Sequence, residues 1–219
     1  MSQIILDISA NNHKNNWEYL KKMLDELRCV EMSVNSDKHK IIIKHQLFKE
    51  SIKNISLNHE IFKKAYQYAG WLGYKTTSSV FDLDSLKFLL KFDVPFVKIA
   101  NNRSLDWLIG EIPRKIPVYV SVSNTNEGYS LIDNYQTGGI REFDIGLYCV
   151  SKYPATLEEY ERRFTKGSIK HGISDHTCGL ELYKKYEPRI WEKHLKLPDS
   201  TGLDAGEFAI TPEELAEIL

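Results

Sequence analysis

The sequence predicts a compact (β/α)8 TIM barrel that occupies residues 1–219 as a single domain. Three observations carry that prediction. Short β-rich runs alternate with helical stretches from end to end, opening on a strand and closing on a helix, as in a parallel sheet wrapped by its crossover helices. The first strand lacks the G-x-G-x-x-G turn that would favour an open doubly wound sheet. At 219 residues the chain sits near the lower size limit of the barrel, so most loops must be short.

The β-rich runs lie at Gln3–Ile8, Lys40–Gln46, Tyr74–Ser79, Phe96–Ile99, Pro117–Val122, Asp144–Val150, Ser168–Ile173 and Pro188–His194. Helical periodicity fills Trp17–Leu27, His59–Leu72, Leu83–Phe92, Asn126–Tyr135, Leu157–Phe164 and Cys178–Tyr186. The fourth connection, Leu105–Ile112, has room for a turn or two of helix. A last helix over Pro212–Leu219 carries a clear start signal, with Thr211 as N-cap, Pro212 at the first position and Glu214 in the first turn.

Composition narrows the function. The net charge is −1 with no long run of either sign, so nothing forms the basic face of a nucleic-acid binder. Three cysteines without a C-x-x-C pair argue against a disulfide scaffold, and Cys29 and Cys149 lie in apolar stretches that suit small core residues. The first ten residues carry Asp7 and no cationic start, unlike a signal peptide. No apolar stretch reaches membrane-spanning length. These features predict a soluble, cytoplasmic protein that binds neither nucleic acid nor membrane.

In a barrel the active site sits at the C-terminal ends of the strands. The polar residues expected there are Asp7 and Asn11; Lys44 and Gln46; Ser78, Ser79 and Asp82; Lys98, Asn101, Asn102 and Arg103; Ser121 and Ser123; Ser151 and Tyr153; Ser174, Asp175 and His176; and Glu192 and His194. Lys44 and Lys98 each close an apolar run, where a charge more often serves function than on a helix face. His176 and His194 end the last two strands. Neighbouring parallel strands lie about 4.8 Å apart, so these imidazoles could grip one ion. Two lysines, several hydroxyls and a metal facing one pocket point to a small, highly anionic substrate such as a phosphorylated carboxylate.

Taken together, Asp7-Ile8-Ser9-Ala10-Asn11, Ile43-Lys44-His45-Gln46, Ser78-Ser79-Val80-Phe81-Asp82, Val97-Lys98-Ile99-Ala100, Cys149-Val150-Ser151-Lys152-Tyr153-Pro154, Gly172-Ile173-Ser174-Asp175-His176-Thr177-Cys178-Gly179 and Glu192-Lys193-His194 resemble the N-terminal barrel of the sialic acid (N-acetylneuraminate) synthases. That family condenses phosphoenolpyruvate with an N-acylated aldose, typically N-acetylmannosamine, to give a 2-keto sugar acid and phosphate. The resemblance implies His176 and His194 as ligands of a divalent metal, Mn2+ ahead of Mg2+ or Co2+. It implies Asp7, Lys44, Lys98 and Glu192 as the catalytic set. Ser79, Asn101, Ser121, Ser151 and Ser174 would join the lysines around phosphoenolpyruvate, with Gln46, Tyr153 and Asp204 near the amino sugar.

The chain also departs from the family pattern. The first-strand glutamate is Asp7, and the Asn-His pair that follows is Asn11-Asn12. Threonine becomes Ser79, an asparagine at the phosphate becomes Ser151, and Ser-Gly-Glu after the fourth strand becomes Asn101-Asn102-Arg103. Arginine cannot act as a base at ordinary pH, so Arg103 is expected to bind substrate, in place of the arginine that the family's second domain donates to the sugar or toward an acidic acceptor, with a surface ion pair as the equal alternative. The chain ends at Leu219, so the resemblance is expected to cover the barrel without the family's C-terminal antifreeze-like domain. Assembly is left open, a homodimer being one option. Two other readings remain: a metal-dependent keto-acid aldolase, and a degenerate barrel that binds a ligand or partner without turnover.

Overall fold

A computed structural model describes residues 2–34, 39–49, 51–123, 145–162 and 172–219. Eight parallel strands close on themselves: β1 (Ser2–Asp7), β2 (His39–Leu47), β3 (Lys75–Val80), β4 (Val97–Ile99), β5 (Val118–Val122), β6 (Ile145–Cys149), β7 (Ile173–Asp175) and β8 (Ile190–Leu195) pair in chain order, and β8 pairs back to β1. This is the (β/α)8 barrel that the alternation predicts. A two-residue β9 (Ala209–Ile210), which the periodicity does not announce, adds to β8 at Leu195.

The helices are α1 (Ala10–His13), α2 (Trp17–Val34), α3 (His59–Trp71), α4 (Leu83–Leu89), α5 (Leu108–Glu111), α6 (Leu157–Glu161), α7 (Glu181–Tyr186) and α8 (Pro212–Ala216). The Thr211 start signal holds: its side chain accepts from Glu214 N while Glu214 caps back, with Pro212 in the first turn. Helix α2 runs past the expected end at Leu27, supported by the Lys21–Asp25 and Arg28–Glu31 ion pairs. That extension leaves Cys29 exposed, correcting its expected place in the core. The helix expected over Asn126–Tyr135 and the first part of the seventh strand, residues 168–171, lie outside the described residues.

Strand alternation builds the site. In β1 and β2 the outward residues Ile4, Leu6, Ile41 and Ile43 pack under the helices, while Ile5 and Ile42 point inward. The inward set, Ile5, Ile42, Phe96, Tyr119, Leu147 and Ile190, forms an apolar plug across the barrel, with Phe96 stacked on Tyr119 at 3.9 Å. Gly172 fills the β7 position of that layer because nothing larger fits: a Cβ there would lie 2.6 Å from Leu147 Cδ2 and 2.9 Å from Ile190 Cβ. Two residues further along each strand, the inward positions turn polar.

Candidate active site

Asp7, Lys44, Lys98, Cys149, Ser174, Glu192 and His194 stand above the plug and, with the loops, line a cavity of about 640 Å³ at the C-terminal rim. The register explains the convergence: Asp7 pairs with both Lys44 and His194, Gln46 with Ser79, Ser79 with Lys98, and Ser174 with Glu192. Each pair is adjacent on one layer of the barrel wall.

The charges form a balanced quartet. Lys44 Nζ donates to Asp7 Oδ2 at 2.6 Å and to Ser79 Oγ at 3.1 Å, and lies 3.6 Å from Glu192 Oε2. Lys98 Nζ donates to Ser121 Oγ at 2.6 Å and lies 3.6 Å from Glu192 Oε1, which accepts from Ser174 Oγ at 2.7 Å. Burial disfavours the Asp7 charge, but Lys44, His194 and a hydrogen bond from Gln46 outweigh it and hold the carboxyl at about 2. The same balance, with both lysines as partners, holds Glu192 below the usual carboxylate range. Burial lowers Lys98, and Lys44 adds to that; for Lys44 itself, Asp7 and Glu192 overcome burial and raise it. Asp7 Oδ1 and Glu192 Oε2 have no hydrogen-bond partner.

His176 and His194 face each other with ring centroids 5.8 Å apart. His176 Nδ1 donates to the Val150 carbonyl at 2.8 Å, so its Nε2 carries the lone pair, 3.5 Å from Ser174 Oγ. Burial, reinforced by His194, pushes His176 down to about 3 and keeps the ring neutral, the form that ligates metals. His194 Nε2 lies 3.8 Å from Asp7 Oδ2; its Nδ1 is 3.4 Å from Asp204 Oδ1 without a hydrogen bond. Among the described residues no set of three or more His, Cys, Asp or Glu side chains converges as a metal cage. Two neutral-capable imidazoles beside a carboxylate nonetheless suit a divalent ion, leaving positions for water and substrate oxygens.

Asn101 Nδ2 donates to Ser123 Oγ and Ser151 Oγ, both at 2.8 Å. Tyr153 is half-exposed and covers the His176 ring at 4.0 Å, with Phe208 beside it at 5.0 Å. Asp204 arrives from the loop after β8, anchored by Asn11 Nδ2 at 2.5 Å; Gly202 permits this because a Cβ there would strike the Asn11 carbonyl. Among the residues expected to catalyse, to bind substrate or to hold the metal, Arg103 stands outside the cavity wall. Its guanidinium lies behind Asn101, donating to Asn101 Oδ1 and to the Ser121 carbonyl.

Three other rim candidates turn away. Ser78 Oγ donates to its neighbour's carbonyl, and Asp82 caps α4 through Ser85 N. Asp175 faces outward, accepting from Trp191 Nε1, Thr177 and Lys193. Sequence reading missed several contributors: Asn54 and Phe208 on the wall, and Tyr160 behind it. The Tyr160 hydroxyl serves Val150 N, the Ser174 carbonyl and His176 N, pinning the ends of β6 and β7 together. Cys149, expected as a core residue, is buried as expected but also lines the cavity, and burial pushes its thiol up to about 11.

The chain is 27% identical over 190 residues to an uncharacterised protein of Methanocaldococcus jannaschii, covering 81% of this chain and 56% of that one. It is 22% identical over 185 residues to the N,N'-diacetyllegionaminic acid synthase of Legionella pneumophila, covering 78% and 52%. The chain thus spans about half the length of the curated relatives it matches. The solved N-acetylneuraminic acid (sialic acid) synthetase of Leptospira borgpetersenii shares the fold, with a TM-score of 0.72, 21% identity, and coverage of 99% of this chain and 80% of that one. Residues 23–219 match the NeuB family, and the chain belongs to it.

Proposed function

We propose that the chain catalyses a metal-dependent condensation of phosphoenolpyruvate with an N-acylated aldose, giving a sialic acid-like 2-keto sugar acid and phosphate. The observation that carries this reading is the convergence, in one cavity, of the buried Asp7–Lys44–Glu192–Lys98 quartet with several serine hydroxyls and two imidazoles. Asp7 and Glu192 offset Lys44 and Lys98 one for one, so the cavity is poised for an anion that arrives with its own cation. Phosphoenolpyruvate carries about three negative charges, and pre-oriented donors in a dry pocket stabilise such charge better than water does.

Lys98, Ser121, Asn101 and Ser151 would hold the phosphate side; Lys44, Ser79 and Ser174 would hold the remainder of the enol ester. Gln46, Tyr153 and Asp204 stand across the cavity for the sugar. A divalent metal, Mn2+ as the first candidate, held by His176 and His194 would supply Lewis acidity to the sugar carbonyl. The enol carbon bonds to the aldehyde carbon, whose oxygen takes up a proton to become a hydroxyl. Water adds to the cationic centre left behind, and phosphate departs by carbon–oxygen cleavage as the adduct's hydroxyl loses its proton and becomes the ketone. Water's two hydrogens thus end on the sugar hydroxyl and the phosphate. Asp7 and Glu192 are held ionised, and each keeps an oxygen without a hydrogen bond, so they can take the water's proton. Lys98, its ammonium destabilised by burial and by Lys44, is the cation best placed to return a proton to the leaving phosphate.

The test is phosphate release from phosphoenolpyruvate with Mn2+ across N-acylated and phosphorylated aldoses, each with an EDTA control. Metal-dependent release with one acceptor establishes the synthase. Release with none, from protein shown to bind metal, favours a barrel that binds without turnover; retro-aldol cleavage of a keto acid without phosphate release favours the aldolase.

A further inference from the structure

Arg103 has lost contact with the cavity yet touches two atoms that define its rim. One guanidinium nitrogen, Nη2, donates to Asn101 Oδ1 and to the Ser121 carbonyl, each at 3.2 Å. The other, Nη1, lies 3.6 Å from Asp106 Oδ2, a carboxyl buried beneath the turn that follows β4. The side chain is therefore held from both sides.

The consequence lies in the chemistry of Asn101. A carboxamide presents an acceptor on one face and two donors on the other, and its orientation follows its partners. Arginine has five donors and no acceptor, so it can satisfy only Oδ1. With Oδ1 occupied, Nδ2 must face Ser123 and Ser151, which it does at 2.8 Å. The Ser121 carbonyl, the other acceptor on this rim, is capped by the same nitrogen. Both Nδ2 hydrogens are spent on Ser123 and Ser151, and Ser121 Oγ accepts from Lys98, so what this side offers the cavity is the hydroxyl protons of Ser121 and Ser151 together with the Lys98 ammonium.

We infer that Arg103 is a positioning residue that makes this side of the cavity an anion subsite by taking up its two acceptors. It acts through Asn101 rather than by touching substrate. An acidic residue at this position could not do so, because it would compete with Asn101 Oδ1 for donors. This assignment rests on the phosphoenolpyruvate reading and specifies which wall receives the anion.

A double-mutant cycle read by calorimetric titration of phosphoenolpyruvate tests it, with thermal melts to show that each variant folds. Arg103→Gln should weaken binding about tenfold, the scale of a hydrogen bond to a charged group, and Arg103→Lys, which keeps a donor for Oδ1, should recover part of the loss. In an Asn101→Ala background, Arg103→Gln should cause a clearly smaller loss, that of uncapping the Ser121 carbonyl alone. An undiminished effect in that background would show that Arg103 meets the anion directly, and overturns the positioning role. Wild-type affinity in Arg103→Gln overturns the assignment while leaving the phosphoenolpyruvate reading intact. Failure of the wild-type chain to bind phosphoenolpyruvate overturns both.

Discussion

Two sets of residues alternate along the same pair of strands and differ in how their bonding capacity is used. On the inner face of β7 and β8 stand Ser174, Glu192 and His194, followed by His176; on the outer face stand Asp175, Trp191 and Lys193, followed by Thr177. The outer set is saturated. Asp175 accepts from Thr177 N and Oγ1 at 2.7 Å and from Trp191 Nε1 at 2.9 Å, and Lys193 donates to the Thr177 carbonyl at 2.6 Å. The inner set is not, since Glu192 Oε2 and His194 Nδ1 lack hydrogen bonds among the described residues. Saturated polar groups hold the strand ends; the unsaturated ones face the cavity. The Ser-Asp-His-Thr and Glu-Lys-His motifs are each half site and half lock, interleaved by the two-residue period of the strand.

The sharpest way to break this contrast is to exchange its halves. Asp175→Ala leaves the fully buried Lys193 ammonium without its carboxylate, at a cost of about 3–5 kcal/mol. For a chain of this size that corresponds to a fall in Tm of roughly 6–20 °C, measured by thermal melt. His176→Ala and His194→Ala should instead retain a near-wild-type melt while metal-dependent phosphate release falls by about a thousandfold or more, the scale of losing several kcal/mol of transition-state stabilisation. If either histidine variant unfolds like Asp175→Ala, the division between site and lock fails.

Acid sharpens the comparison further. His13 on α1 and His45 on the outer face of β2, both buried, are held at about 3 and 4, chiefly by burial; among the described residues neither ring nitrogen of His13 has a hydrogen bond, nor does His45 Nε2. Both titrate near 6.5 when unfolded, so the unfolded chain binds more protons below that pH and stability is lost as pH falls from about 6.5 toward 4 and 3. Asp7 extends the loss from about 4 toward 2, because its folded carboxyl is depressed to about 2. A pH series of melts should show Tm declining from pH 6.5 downward, less steeply in His13→Phe. The smallest effect belongs to exposed ion pairs such as Lys184–Glu217, where Lys184→Ala should change stability by about 1 kcal/mol or less.

Much of this was legible in the sequence because strand period and barrel topology are strong constraints. Lys44, Lys98, Ser79, Ser174, Glu192 and both histidines fall on inward positions near the rim, where an apolar run ending in a polar residue marks them. Parity should also have excluded Ser78 and Asp175, since neighbours in one strand cannot share a face. The contacts that hold the loops were illegible, although Asn101, Tyr153 and Asp204 themselves were expected at the site. Asn11 anchoring Asp204, and Tyr160 reaching three backbone groups, depend on close approach between distant segments that no local pattern encodes. Arg103 was legible as a departure, but its direction was not.

The most direct test of the cavity is calorimetric titration of phosphoenolpyruvate into the wild-type chain and into Lys98→Met, each verified as folded. An anion site built on buried cations predicts one molecule bound per chain and a loss of about a hundredfold when Lys98 is removed, the scale of truncating one partner in a buried charge network. Equal binding by both proteins, or none by the wild type, would contradict it.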